Sequence, residues 1–314
     1  MDKFNPVDMS VWQGRQDPED GELALRWHDK VQPWSQAGSA APGVALVGFA
    51  CDEGVRRNKG RVGAAGAPLA VRKLLANSAW HLSRPVYDSG DVNCEDGDLD
   101  AAHGRLAERV ARLLDEGHFP LVLGGGHEVA FGSWSGLNRH LAGRGRVGII
   151  NFDAHFDLRM KLEQASSGTP FFQIAEQCAA QGTPFTYACL GVAETANTRA
   201  LFARAEALGV WYVLDEAMTP AELPVLLCGL DAFIARCDHL YLTIDLDVLP
   251  AAVMPGVSAP AARGVELAVI EPLIAHIRAS GKLRLADLAE YNPSLDQDNR
   301  SARVAARLVH QLTK

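Results

Sequence analysis

Short apolar runs of strand length return along this chain at fairly even intervals, and helical patterns fill the gaps between them. The runs are GVALVGFA near residue 43, FPLVLGGG near 119, RVGIINFD near 146, FTYACLGV near 185, GVWYVL near 209, HLYLTIDLD near 239 and LRLADLAE near 283, with RPVYDSGDV near 84 a weaker eighth. Between them lie APLAVRKLLANSAW, DAAHGRLAERVARLLDEGH, ANTRALFARAEALG, ELPVLLCGLDAFIARC and GVELAVIEPLIAHIRASG, and a last helix is expected from about Ser301 to Leu312. Strand alternating with helix is the mark of crossover units, hence of a mostly parallel sheet covered on both faces. The runs are continuously apolar rather than alternating, as strands buried on both sides are. No Pro/Gly/Ser-rich linker or internal repeat divides the chain. We expect one α/β domain over 41–314, preceded by an irregular lead-in over 1–40 that packs on it through Trp12, Trp27 and Trp34.

In such a sheet the loops at the carboxyl ends of the strands line the ligand crevice. Three of the runs end in chemistry. FPLVLGGGHE ends in three glycines followed by His127 and Glu128, GIINFDAHFD in Asp153, His155 and Asp157, and LYLTIDLDVLP in Asp245 and Asp247. Side chains two apart on an extended segment point the same way, so Asp153, His155 and Asp157 converge, and so do Asp245 and Asp247. Alone, a DxD at a strand end is most often a cap and a GGGH a tight turn. Together they assemble four carboxylates and two imidazoles, which cannot stay ionised near a core without compensating positive charge. A pair of hard or borderline divalent ions such as Mn²⁺ supplies it, and water shared by two such ions is a nucleophile near neutral pH.

GGGHE, NFDAHFD and TIDLDVLPAAVMPGVSAP resemble the three signature segments of the ureohydrolase (arginase) family, in their usual order and over roughly residues 40 to 312. The resemblance implies a three-layer α/β/α sandwich on an eight-stranded, mostly parallel sheet, and two Mn²⁺ per subunit. One ion would be held by His127, Asp153, Asp157 and Asp245, and the other by Asp153, His155, Asp245 and Asp247, with Asp153 and Asp245 bridging. It implies Asp157 as the carrier of a proton to the leaving amine and Glu290 as the partner of substrate N–H groups. A homo-oligomer is also typical of the family.

The family cleaves guanidino or formimidoyl groups, so the rest of the substrate decides the reaction. CDEGVRRNKGR follows the first strong strand and carries Arg56, Arg57, Asn58 and Arg61, cations and an amide suited to carboxylates. Arg159 follows the DAHFD segment, and Ser167 stands where arginases and agmatinases carry a histidine before Gly-x-Pro. These features resemble formimidoylglutamases, and we expect hydrolysis of N-formimidoyl-L-glutamate to L-glutamate and formamide, a late step of histidine breakdown. The same-class alternative is a guanidino-acid hydrolase such as guanidinobutyrase or agmatinase. A different-class alternative is a non-catalytic ligand-binding relative.

A net charge of −8 without any Lys/Arg-rich run argues against nucleic acid or an anionic membrane as partner, leaving a small molecule. The start MDKFNPVDMS is unlike a signal peptide, no run is long enough for a membrane span, and six scattered cysteines read as free thiols. The expected location is the cytoplasm.

Overall fold

The computed structural model describes residues 4–5, 7–35 and 41–314. Its strands are β1 (Phe4–Asn5), β2 (Gln32–Pro33), β3 (Val44–Ala50), β4 (Val86–Asn93), β5 (Phe119–Leu123), β6 (Val147–Phe152), β7 (Thr186–Val192), β8 (Trp211–Leu214), β9 (His239–Asp245) and β10 (Leu283–Ala289). Its helices are α1 (Trp27–Lys30), α2 (Glu53–Arg57), α3 (Ala67–Ala76), α4 (Leu99–Asp115), α5 (Val129–Leu141), α6 (Pro170–Gln181), α7 (Arg199–Ala207), α8 (Leu223–Ile234), α9 (Leu267–Ala279) and α10 (Arg300–Thr313).

Strands β3 to β10 are the eight apolar runs of the sequence, and they pair in parallel in the order β4-β3-β5-β10-β9-β6-β7-β8. Alternate residues of each strand feed opposite layers. Val44, Leu46, Ile150, Leu240 and Leu242 pack under α3, α8, α9 and α10, while Ala45, Val47, Ile149 and Tyr241 pack under α4, α5, α6 and α7. The three-layer expectation holds. The sheet is larger than eight strands, because β1 joins β4 antiparallel (Phe4 opposite Val92) and β2 joins it in parallel (Gln32 opposite Tyr87).

Those two short strands belong to the lead-in, whose tryptophans are anchors. Trp12 Nε1 donates to Asp88 Oδ2 (2.9 Å) and Trp34 Nε1 to Glu116 Oε2 (3.0 Å), while Trp27 is fully buried against Trp80. Asp88 is also gripped by the buried Arg72 through two bonds of 2.8 and 2.9 Å, so the Trp12 contact closes a satisfied polar cluster.

The chain runs outward from β3 to β4 and then returns to β5 on the other side of β3. This reversal opens the crevice at the carboxyl ends of the central strands. Loops after β3, β5, β10, β9 and β6, five neighbours in the sheet, meet there. No helix among the described residues is long and apolar enough to cross a membrane.

Candidate metal centre

The glycines after β5 are demanded by close backbone approach. A Cβ on Gly125 would lie 1.6 Å from the Cys51 carbonyl oxygen, and the Gly126 N–H donates to that same oxygen at 3.0 Å. This contact ties the GGG turn to the loop after β3 and delivers His127 to the crevice floor.

The acidic pairs converge by a different route from the one expected. Strand β6 ends at Phe152, and Asp153, His155 and Asp157 lie beyond it in irregular backbone. Asp153 Oδ1 accepts the N–H of His155 (2.7 Å), and Asp245 Oδ1 accepts the N–H of Asp247 (2.9 Å). Each pair is therefore an Asx turn, in which the first aspartate bonds the backbone two residues on. That turn, rather than an extended strand, aims both side chains of a pair into the crevice. The other carboxylate oxygen of each, Oδ2, faces His127, and Asp153 Oδ2 also accepts from Asn151 Nδ2 at 2.9 Å.

His127 Nδ1 sits at the meeting point of these oxygens. It lies 3.0 Å from Asp153 Oδ2, 2.9 Å from Asp157 Oδ2 and 3.1 Å from Asp245 Oδ2. Its other nitrogen, Nε2, is 3.0 Å from Thr243 Oγ1. If Nε2 carries the proton and donates to the hydroxyl, Nδ1 presents a bare lone pair. His155 Nδ1 lies 3.1 Å from Asp247 Oδ2 and 3.5 Å from Asp153 Oδ1.

Two ligand groups result: His127, Asp153, Asp157 and Asp245, then Asp153, His155 and Asp247, each set of donor atoms lying within 4.8 Å. Asp153 is common to both. Asp245 falls in the first group alone, so the arrangement gathers one carboxylate common to both groups where two were expected.

His127 and Asp153 are fully buried, and Asp245 and Asp247 nearly so. Burial drives the carboxyls of Asp157 and Asp245 upward, and their carboxylate neighbours add to the shift. Burial would lower the two histidines, but the facing carboxylates override it and hold both well above the usual imidazole range. Asp153 is lowered against its own burial by His127 and His155. Asp247 Oδ1 is buried with no hydrogen-bond partner among the described residues. Carboxylates crowded round one imidazole nitrogen and an unsatisfied buried carboxylate oxygen are what divalent cations would relieve, so these residues fit a metal pair.

Above this floor lies a cavity of about 390 Å³, lined by His155, Asp157, Asp245, Asp247 and Glu290 below and by Asn58, Lys59, Arg61, Arg159, Ser167 and Ser258 around the mouth. Glu290 follows β10, and its Oε1 accepts the His127 N–H at 2.9 Å. Its carboxyl is pushed up to about 8, by burial first and by Glu128 next. Among the described residues six non-glycines have left-handed backbone, and three of them, Lys59, Asp157 and Glu290, line this cavity. Strain of that kind concentrates where side chains must be aimed.

The arginines expected at the substrate divide here. Arg56 is paired with Glu53 (2.5 and 2.7 Å), and Arg57 with Glu53 and the carbonyls of Gly97 and Ala165. Neither lines the cavity, which corrects that part of the expectation: on α2 they point at their own helix and its neighbours. Arg61 reaches the mouth but spends its guanidinium on the carbonyls of Val257 and Ser258. Asn58 donates to Ser167 Oγ at 3.2 Å, and Ser167 is buried. Arg159 lines the mouth, as does Lys59, which sequence reading passed over although it stands two positions beyond Arg57. Neither side chain has an ion-pair partner among the described residues. The six cysteines are all free. A second cavity, of about 310 Å³, lies at the opposite ends of β6 and β7, near Arg146 and Thr186, and holds no cluster of titratable groups.

The arginase family model matches residues 42–314. The chain is 97% identical over 314 residues, the whole of both chains, to the formimidoylglutamase of Aeromonas hydrophila subsp. hydrophila. A crystal structure of formimidoylglutamase from Bacillus subtilis superposes with a TM-score of 0.83 at 23% identity, covering 96% of this chain and 93% of that one. A Trypanosoma cruzi formiminoglutamase crystallised with Mn²⁺ gives a TM-score of 0.78 at 26% identity, covering 88% and 95%.

Proposed function

The chain belongs to the arginase family, and on that premise we propose that it hydrolyses N-formimidoyl-L-glutamate to L-glutamate and formamide. The observation that carries this reading is a single cavity with a two-ion ligand set on its floor and unpaired Lys59 and Arg159 at its mouth. A substrate with an amidine at one end and two carboxylates at the other spans that gradient of charge. Agmatine would present its distal cation to the same two cations and be repelled.

In this reading His127, Asp153, Asp157 and Asp245 would hold one Mn²⁺, and Asp153, His155 and Asp247 would hold the other. Bound there, the ions would supply Lewis acidity and lower the pKa of coordinated water toward neutrality. Glu290 orients the substrate: one carboxylate oxygen is occupied by the His127 N–H, which leaves the other for an amidine N–H. Asp157, on the cavity floor, would take a proton from the attacking water and return it to the glutamate nitrogen as the C–N bond breaks. Lys59 and Arg159 take the two substrate carboxylates by charge-assisted bonds, and Asn58 and Ser167 complete the rim. The free cysteines accord with a reducing, cytoplasmic setting.

The test is product analysis. Protein loaded with Mn²⁺ is incubated separately with formimidoylglutamate, agmatine and arginine. Formamide and glutamate from the first are expected; urea from either guanidine without formamide from the first would overturn the proposal.

A further inference from the structure

Glu128 follows the metal-facing His127, yet its side chain turns away from the cluster and is 1% exposed. Oε1 accepts the N–H of Gly54 at 2.9 Å and lies 3.6 Å from the thiol of Cys51, while Oε2 is buried with no partner among the described residues. The carboxyl fills a slot that two glycines keep open: a Cβ on Gly54 or on Gly126 would approach it to within 2.5 Å. So much room cleared for one bond implies that the bond matters.

Gly54 is in the first turn of α2, whose N-cap position is Asp52. An aspartate there ordinarily bonds the free N–H groups of its own helix. Here Asp52 does not; its Oδ2 accepts instead from Gly63 N (2.7 Å) and Ala65 N (3.3 Å), where the loop returns. The cap that Asp52 has vacated is supplied from across the crevice by Glu128. The segment from 52 to 65 is thus pinned by one carboxylate at each end, and between the pins it carries Asn58, Lys59 and Arg61 to the cavity mouth.

We propose that Glu128 is a positioning residue that locks the substrate-facing loop 52–65 to the metal-binding turn, so that the mouth and floor of the cavity keep a fixed separation. A carboxylate-bearing substrate is gripped from the mouth and cut at the floor, so the separation sets its length. The inference rests on the reading of this cavity as the substrate site.

The test compares wild type, Glu128→Met and Glu128→Gln, all loaded with Mn²⁺. Methionine keeps the bulk and removes the acceptor; glutamine keeps an acceptor oxygen for Gly54. Hydrogen–deuterium exchange over residues 53–65 reads the lock without reference to turnover, and kinetics with formimidoylglutamate read its consequence. Glu128→Met is expected to speed exchange in 53–65 about ten-fold and to raise KM about ten-fold, with kcat within about three-fold and Mn²⁺ content unchanged. Glu128→Gln is expected to stay within about three-fold of wild type on every measure. Unchanged exchange in Glu128→Met, equal impairment of both variants, or loss of Mn²⁺ instead of loop protection would overturn the proposal. If the wild type itself fails to cleave formimidoylglutamate, the functional reading fails while the exchange comparison still decides the lock.

Discussion

Replacing Thr243 with valine removes one buried hydroxyl from beneath the cluster and keeps the shape of the side chain. Thr243 and His127 are both fully buried, and Thr243 Oγ1 lies 3.0 Å from His127 Nε2. The same hydroxyl helps to hold down the carboxyl of Asp287, which burial raises, so its own proton is directed away from the imidazole. With the hydroxyl present, a neutral imidazole keeps its proton on Nε2 and leaves Nδ1 bare. Without it, the proton gains by moving to Nδ1, where three carboxylate oxygens wait at 2.9 to 3.1 Å. An incoming Mn²⁺ must then displace that proton and leave Nε2–H unsatisfied in the interior. An unmet buried donor costs roughly 1 to 3 kcal/mol, and 1.4 kcal/mol is about a factor of ten in affinity. Mn²⁺ should therefore bind Thr243→Val some ten- to a hundred-fold more weakly, in line with what partners of metal-bound histidines contribute elsewhere. Titration of metal-free protein, followed by the electron paramagnetic resonance of free Mn²⁺, measures this directly, with Thr243→Ser as the control that retains the hydroxyl. A folded Thr243→Val protein with affinity within two-fold of wild type would show that the hydroxyl does not set the tautomer.

Other consequences are equally open to measurement. In the metal-free protein, burial pushes the carboxyls of Glu128 and Glu290 up to about 7 and about 8, and facing carboxylates hold His127 and His155 high. The folded chain then binds more protons than the unfolded one: the carboxyl contribution is lost as pH rises through about 4.5 to 8, the histidine contribution above about 6.5. Tm of metal-free protein should therefore fall between pH 5 and pH 8 in calorimetry, and Mn²⁺ should offset the fall most at the upper end. Lys59→Met and Arg159→Met should each raise KM for formimidoylglutamate roughly ten- to a hundred-fold, as loss of a charge-assisted bond of about 1.5 to 3 kcal/mol requires, whereas Arg56→Ala should stay within about two-fold. Gly125→Ala places a methyl 1.6 Å from the Cys51 oxygen and should cost at least about 3 kcal/mol in denaturant unfolding or prevent folding. Gly104→Ala, on an open face of α4, should instead stabilise by up to about 1 kcal/mol.

The layered fold was legible because its signal is periodic and redundant. Each core strand is an apolar run bounded by polar residues, and each ligand segment stands at the carboxyl end of such a run. Helices α5 and α6 stand out less. VAFGSWSGLNRHL carries Gly132 and Gly136, poor helix formers whose reason lies in a neighbour: a Cβ on either would press to within 2.6 to 2.9 Å of Val110 or Leu106 of α4. A pattern that depends on what packs against it is invisible in one dimension. The same limit separated Lys59 from Arg57. Both lie in one basic cluster, and only the geometry of α2 and the left-handed backbone at Lys59 decide which of them faces the cavity. The lead-in, with no period of its own, gave no hint that β1 and β2 would pair with β4.

That pairing makes β1 and β2 a hem on the sheet. The family match begins at residue 42, so a chain trimmed to it would keep every ligand segment. It would also lose the strands bonded along β4, strip the Trp12 cap from the cluster of Asp88 and Arg72, and uncover the hollow filled by Trp27. An unpaired strand edge beside exposed apolar surface is a template for joining other chains. What the trimmed protein would forfeit first is solubility, with its chemistry still intact.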